Sequence, residues 1–258
     1  MLMAYDFDKI ATNYDRLNHI MTAGMDRLWR RRAVNQAVGT DGTPLNVLDV
    51  ACGTGDLSIE FLRHRCHVTG IDLSSEMLAI AKAKTAEAGF QPDAFNYLLA
   101  DAEQLPFDDN TFDIVSCAFG IRNFIHLEQG LREMARVLKP QGRLLIMELS
   151  TPDCALVRPF YNLYTRRIVP WLGAGIAGNR EAYTYLPSSV EKFPKGEAML
   201  QILNSVGLPA KQTKFFFAVC RLYHSQPQLQ PPTPPSVSKT NPADPYPKGT
   251  PNRNTKPQ

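Results

Sequence analysis

Apolar residues along this chain follow two alternating rhythms. Runs of six to eight mostly apolar residues recur at Asn46–Ala51, His67–Asp72, Phe95–Ala100, Phe112–Phe119 and Arg143–Leu149. Between them, Asp56–Arg65, Ser75–Ala88 and Leu127–Val137 space their apolar positions as a helix does. The first kind predicts strands and the second predicts helices. Several strand runs are apolar on both faces, as in a parallel sheet covered by helices on each side. The expected fold class is α/β, a doubly wound, mostly parallel sheet. Two more strand signals, Lys211–Phe217 and Val219–His224, bring the count to seven and are expected to form a hairpin at the sheet edge.

Three stretches fall outside the alternation. Residues 6–38 read as a helical cap before the first strand, and 152–194 as an insert or lid. The last stretch, Gln226–Gln258, holds ten of the twenty prolines and almost no large apolar residues. Such a segment buries too little surface to offset its ordering entropy, so it is expected to be a disordered tail. One folded domain over 1–225 is the expected organisation, and that length is enough for a full core.

Charge and cysteines narrow the function classes. The net charge is +3. The tail carries four basic residues and one acid, so the folded part is near neutral. No nucleic-acid footprint is expected from that balance. The five cysteines are scattered, with no CxxC pair. The cluster His64-Arg65-Cys66-His67 runs straight into a predicted strand, so no metal site is expected there. An odd, unpatterned set of thiols suits a reducing cytoplasm. No stretch has a signal-peptide layout, and no apolar run reaches the ~18 residues of a membrane span. A cytoplasmic location is expected.

The candidate chemistry sits at three successive strand ends. The first strand runs into "DVACGTGD", Asp49 to Asp56. A triphosphate loop needs a lysine after the second glycine, and here Asp-Leu-Ser follows Gly55. A dinucleotide turn needs a third glycine, and a pyrophosphate would not want Asp56 at the helix start. Acids beside the turn suit a cation instead. S-adenosylmethionine, with an ammonium, a sulfonium and no phosphate, fits that requirement. Gly53 and Gly55 allow close backbone approach and positive φ, and Asp49 is expected near the cationic end. Asp72 ends the second strand, 17 residues after Gly55, where it can accept both ribose hydroxyls. Asp101, at the tip of the third strand, can accept from the adenine amine, with Ala102 beside the ring.

Four stretches resemble a known family: "YDRLNHIMTAGMDRLW" from Tyr14, "DVACGTGDL", "LPFDDNTFDIVSCAFGIRNF" from Leu105, and "EMARVLKPQGRLLIMELS" from Glu133. The chain resembles the quinone C-methyltransferases of menaquinone and ubiquinone synthesis, from about Phe7 to His224. The resemblance implies a Rossmann-like class I S-adenosylmethionine-dependent methyltransferase. It implies cofactor contacts at Thr54, Asp72, Asp101 and Ala102, and marks Arg122 of "FGIRNF" for catalysis. The implied acceptor is a prenylated hydroquinone, most simply demethylmenaquinol. The ubiquinone-pathway benzoquinol or another small phenol is the alternative. Ala118 stands where ubiquinone-type members have serine, Asp26 where histidine is frequent, and Gln141 where glycine is.

Arg122 and Asn123 are the candidate catalytic residues. A guanidinium at the end of the fourth strand can stabilise a developing phenolate, although pairing with a nearby acid would explain Arg122 as well. Tyr14 in the cap either closes over the reacting groups or simply packs. His126 is a weaker alternative base. The stretch 158–178 mixes aromatics with arginines, which suits a peripheral membrane contact at the inner face or a substrate-tail channel, and equally a packed helix. Oligomeric state is left open, with a homodimer among the options.

Overall fold

The computed structural model describes residues 11–39, 42–169 and 187–225. Two cap helices, α1 (Ala11–Met21) and α2 (Met25–Val38), precede the sheet. The sequence predicts one helical stretch here. The structure breaks it at Ala23 and Gly24, whose φ angles are +50° and +74°. Glycine takes that conformation at little cost, and the break lets α1 leave the line of α2 and pack against α4. The unit continues β1 (Asn46–Val50), α3 (Asp56–Arg63), β2 (His67–Asp72), α4 (Ser75–Glu87), β3 (Phe95–Leu99) and β4 (Phe112–Ala118). Then come α5 (Leu127–Val137), β5 (Leu138–Leu149), α6 (Arg158–Leu163), α7 (Glu197–Ser205), β6 (Lys211–Phe215) and β7 (Cys220–His224).

The seven strands lie in the order β3-β2-β1-β4-β5-β7-β6. The first five run parallel, while β7 and β6 are antiparallel additions at one edge. Both the sheet and its terminal hairpin agree with the periodicity. Helices bury both faces. On one, Leu131 and Met134 of α5 join Met199 and Leu203 of α7. On the other, Trp29, Ala33 and Val34 of α2 meet Leu57 and Phe61 of α3. Continuous apolar strands are the consequence of this two-sided cover.

Two elements differ from expectation. The fifth strand starts at Leu138 rather than Arg143, because Leu138 pairs with Phe112 before the register shifts to Ile114 opposite Arg143. A Cβ on Gly142 would meet Leu138 at 2.5 Å, so only glycine fits that irregularity. Helix α7 carries few core-facing residues, too short a pattern to stand out in the sequence. Within the predicted insert, α6 continues into a π-helical turn, Tyr164–Ile168. Residues 170–186 and the tail 226–258 lie outside the described residues.

The strand order reverses between β1 and β4. Ligands of such sheets bind in the crevice beyond the strand ends at that point.

Candidate active site

The turn after β1 is held from below and from the side. Gly53 and Gly55 adopt φ of +54° and +81°. A Cβ on Gly55 would meet the Tyr97 hydroxyl at 2.9 Å and Ala81 at 3.1 Å, so the turn lies flat on α4 and β3. Asp72 accepts the Gly53 N–H at 2.8 Å and the Ser74 N–H at 3.0 Å. It therefore fixes the turn and the start of α4 together, while Ser74 caps that helix by accepting the Met77 N–H. Asp101 accepts the Glu103 N–H at 2.8 Å, and Ala102 is buried beside it.

Asp49 differs from the expectation of an acid that faces a ligand. It is buried under the turn, where its two oxygens accept the hydroxyls of Ser58 at 2.6 Å and Ser116 at 2.9 Å. Burial pushes its carboxyl up to about 6 against those two hydrogen bonds. The residue braces β1, α3 and β4 against one another.

The side of the turn holds a charged network that the sequence reading missed. Asp15 of α1 accepts the Thr54 hydroxyl and pairs with Lys84 at 2.6 Å. Lys84 also meets Asp56 at 2.6 Å, and Asp56 lies 3.3 Å from Arg30. Arg30 in turn pairs with the buried Asp26, which His19 approaches at 2.8 Å. Burial works against the charge of Asp26. The Thr22 hydroxyl and Arg30 outweigh it and hold the carboxyl below the usual range. His19, Asp26 and Asp56 have metal-like spacing. With Arg30 and Lys84 among them, the carboxylates already have their countercharges. No sequence motif announces this network, since its members come from α1, α2, α3 and α4.

Beside the turn opens a mostly apolar cavity of about 310 Å³. Its wall includes Trp29, Phe119, Leu149, Phe160 and Tyr161, with Arg122 at one point. Such a volume and lining match a small-molecule site. The backbone between β4 and α5 turns tightly here. Phe119 sits at φ +61°, and a Cβ on Gly120 would meet the Ala51 side chain at 2.6 Å. This close approach brings the "FGIRN" stretch against the end of β1.

Arg122 pairs with a nearby acid, as the structural reading of this residue expects. Its guanidinium donates to the buried Glu148 at 2.8 Å and to the Phe119 carbonyl, and it also faces the cavity. Asn123 follows on the same short 3-10 turn, and its Oδ1 is buried with no hydrogen-bond partner among the described residues. Burial raises the Tyr161 phenol to about 12, although Arg122 pulls the other way, so the hydroxyl stays protonated at neutral pH. Tyr164 donates to the Met21 carbonyl at 2.9 Å, tying the insert to the cap. His126 instead pairs with Glu103 at 2.7 Å on an exposed surface and is not part of the cavity wall. Tyr14 lies on α1, and its side chain is outside the described residues.

The family model that matches residues 3–225 is that of the ubiE/COQ5 methyltransferase family. The chain belongs to this family. It is a methyltransferase. Among its relatives, the demethylmenaquinone methyltransferase of Bacteroides fragilis is 38% identical over 224 residues, which cover 84% of this chain and 89% of that one. The Thermus thermophilus demethylmenaquinone methyltransferase is 41% identical, covering 84% and 97%. The ubiquinone/menaquinone biosynthesis C-methyltransferase UbiE of Bartonella quintana is 40% identical, covering 78% of each. The fold is also that of a SAM-dependent methyltransferase from Aquifex aeolicus, at a TM-score of 0.52 and 18% identity over 77% of this chain and 89% of that one. Phosphoethanolamine N-methyltransferase 2 of Haemonchus contortus, solved in complex with S-adenosyl-L-methionine, gives 0.54 and 19% over 72% and 38%.

Proposed function

We propose that this methyltransferase transfers the methyl of S-adenosylmethionine to a ring carbon of a prenylated hydroquinone, with demethylmenaquinol as the acceptor and menaquinol as the product. The observation that carries this reading is the adjacency of two unlike surfaces. Strand-end acids flank a left-handed glycine turn. Beside them lies an apolar cavity with a guanidinium in its wall. The names of the relatives supply the quinone chemistry.

The residues present fit the cofactor. Thr54, Asp72, Asp101 and Ala102 are placed to hold it, with Gly53 and Gly55 giving the backbone room. When bound, it supplies an electrophilic methyl group on a cationic sulfur. Asp72 offers its carboxylate to the ribose hydroxyls, and Asp101 lies one strand further for the base. Asp49 acts indirectly, by fixing the turn.

The acceptor enters the cavity in its reduced form. Only the hydroquinone oxygen can push electrons onto the neighbouring ring carbon. That carbon takes the methyl as the methyl–sulfur bond breaks, the bond's electrons staying on sulfur as a neutral thioether, and the ring proton then passes to solvent as aromaticity returns. Arg122 stabilises the oxygen as negative charge grows on it, because a guanidinium fixed by Glu148 needs no reorganisation. It cannot serve as the base, since it stays protonated. Asn123 and Tyr14 are positioned by sequence to orient the ring and close the site. The apolar wall around Trp29, Phe119 and Phe160 excludes water and takes up the first part of the tail. No helix among the described residues is long and apolar enough to cross a membrane. A cytoplasmic enzyme that touches the inner face of the membrane through 158–178 suits a greasy acceptor and described residues that hold no membrane-spanning helix.

The test is methyl transfer from labelled S-adenosylmethionine to reduced demethylmenaquinol, reduced ubiquinone-type benzoquinol and oxidised quinone side by side. Label on the naphthoquinol ring carbon and none on the oxidised control is the expected result. Label on the benzoquinol alone would replace the acceptor. Label on neither reduced ring would overturn the acceptor assignment.

A further inference from the structure

The mouth of the cavity carries features that binding a ring does not require. Phe216 and Phe217 follow β6 and are 54% and 59% exposed, their rings edge to face at 5.5 Å. With Ala218 they occupy φ of +41°, +55° and +69°. Residues with a Cβ avoid that region, so three in a row hold two phenyl rings outward against backbone preference. The turn is locked from behind. The Val219 N–H donates to the Phe216 carbonyl at 3.0 Å, the Ser150 N–H to the Val219 carbonyl at 2.7 Å, and the Asp153 N–H to the Phe217 carbonyl at 3.3 Å. On α6 and just before it, Leu156, Phe160 and Leu163 are exposed too. Phe160 and Phe216 are both exposed and both line the cavity, so the apolar surface runs from the outside into the site.

Charge around this mouth is one-sided. Arg158, Arg166, Arg167 and Lys214 are exposed. The acids nearby are already committed: Asp153 to Lys214 and Arg221, and Glu191 to Arg166. Arg158 and Arg167 pair with no acid among the described residues. Aromatic rings at a rim of excess positive charge match an anionic lipid surface, where rings enter the acyl boundary and arginines meet headgroups.

We propose that the Phe216–Phe217 turn and the exposed face of α6 form a wedge. The wedge inserts into an anionic bilayer and joins the cavity directly to it, so a tailed acceptor reaches the site without crossing water. The inference rests on the reading that the acceptor is prenylated, and it extends the lipid contact beyond 158–178 to Leu156 and to the Phe216–Phe217 turn, which is distant in sequence.

The test uses the full chain and sucrose-loaded vesicles of phosphatidylcholine, with and without phosphatidylglycerol. The wild type is expected to sediment with the anionic vesicles and to be released by salt. The double variant Phe217→Gly with Leu156→Ser should bind them roughly tenfold more weakly or worse, from the apolar surface removed. Glycine suits φ +55°, so the melting temperature should not fall. Neither residue lines the cavity, so methyl transfer to a tail-less hydroquinone in solution should be unchanged while transfer to a vesicle-borne, long-tailed one drops. Unaltered vesicle binding by the variant would overturn the wedge. So would a wild type that ignores anionic vesicles and forms a dimer which the variant disrupts, since the patch would then face a second copy. A wild type that binds vesicles as expected but methylates no hydroquinone would support the wedge and overturn the acceptor reading instead.

Discussion

The proposed cofactor side and the proposed acceptor side of this site are built in opposite ways. The turn after β1 and the tips of β2 and β3 are polar, short-range and fixed by backbone hydrogen bonds to Asp72 and Asp101. The cavity beside them is apolar, and its wall is drawn from α1, α2, the β4–α5 turn, α6 and the β6–β7 turn. A ligand with fixed polar groups is met by fixed donors and acceptors. A greasy ring and tail is met by surface that many segments must assemble together. The difference teaches where each kind of substitution should act.

The largest expected effects separate the two sides. Replacing Asp72 by Ala removes two hydrogen bonds to a charged group as well as the ribose acceptor. At roughly 1.5–3 kcal/mol for each hydrogen bond to a charged group, loss of the two bonds from the ribose hydroxyls corresponds to a hundredfold or greater loss of cofactor affinity. Arg122→Lys should leave that affinity unchanged and lower kcat by about a hundredfold, because a point charge replaces a fixed fork. Lysine keeps a cation beside Glu148, whereas Arg122→Ala would strand a buried carboxylate at roughly 3–5 kcal/mol. Calorimetric cofactor titration and single-turnover methyl transfer read the two quantities separately. An Arg122→Lys enzyme that loses cofactor binding as well would break the division.

The same contrast explains what was legible in the sequence. Most of the strands could be read from apolar runs because each run is contiguous, although β6 opens on Lys-Gln-Thr-Lys. Gly53, Asp72 and Asp101 could be singled out because each stands at or just past a strand end, a place the periodicity marks, whereas Thr54 came from the family resemblance alone. Asp49 was readable as an acid near the turn but not as a buried brace, since nothing local shows Ser58 and Ser116 converging on it. The cavity was legible only in fragments. "FGIRNF" pointed to Arg122, and the aromatic stretch from Arg158 pointed to a greasy ligand. Their meeting with Trp29 and Phe216 depends on tertiary packing. Lys84 and Arg30 carried no signal, because single charges on separate helices look like ordinary solvated positions, and Asp15, although inside the family-like stretch from Tyr14, was not marked as a partner of Thr54.

A middle-sized effect tests the brace. Asp49 has a carboxyl raised to about 6 by burial, against 3.8 for the free side chain. Between those values the folded state holds a proton that the unfolded chain has lost. Stability from this group is therefore present below pH 4 and is lost as pH rises through 6. Relative to Asp49→Asn, which cannot ionise, the wild type should lose up to about 3 kcal/mol between pH 4 and pH 8. Denaturant unfolding of both proteins across that range measures the difference, in which other titrating groups cancel. A difference that stays flat with pH would mean that the two serine hydrogen bonds fully offset burial and that Asp49 ionises as readily in the fold as in the unfolded chain.

The smallest effect bears on whether the two sides are independent. Helix α1 belongs to both: Asp15 holds Thr54 and Lys84 at the turn, while Asn18, Met21 and Thr22 line the cavity. Asp15→Asn removes a partly exposed ion pair, which is worth under about 1 kcal/mol, so the fold should survive with little change in Tm. If α1 is one rigid piece, its looser hold on the turn must also loosen the cavity wall. The expected outcome is a KM for the hydroquinone raised about threefold, with cofactor affinity falling by a similar factor. Coupling between two binding sites is reciprocal, so saturating cofactor should restore most of the lost affinity for the acceptor. A variant whose cofactor affinity falls while its acceptor KM stays fixed would confine α1 to the polar side. The cavity would then owe its shape to α2, α6 and the β6–β7 turn alone.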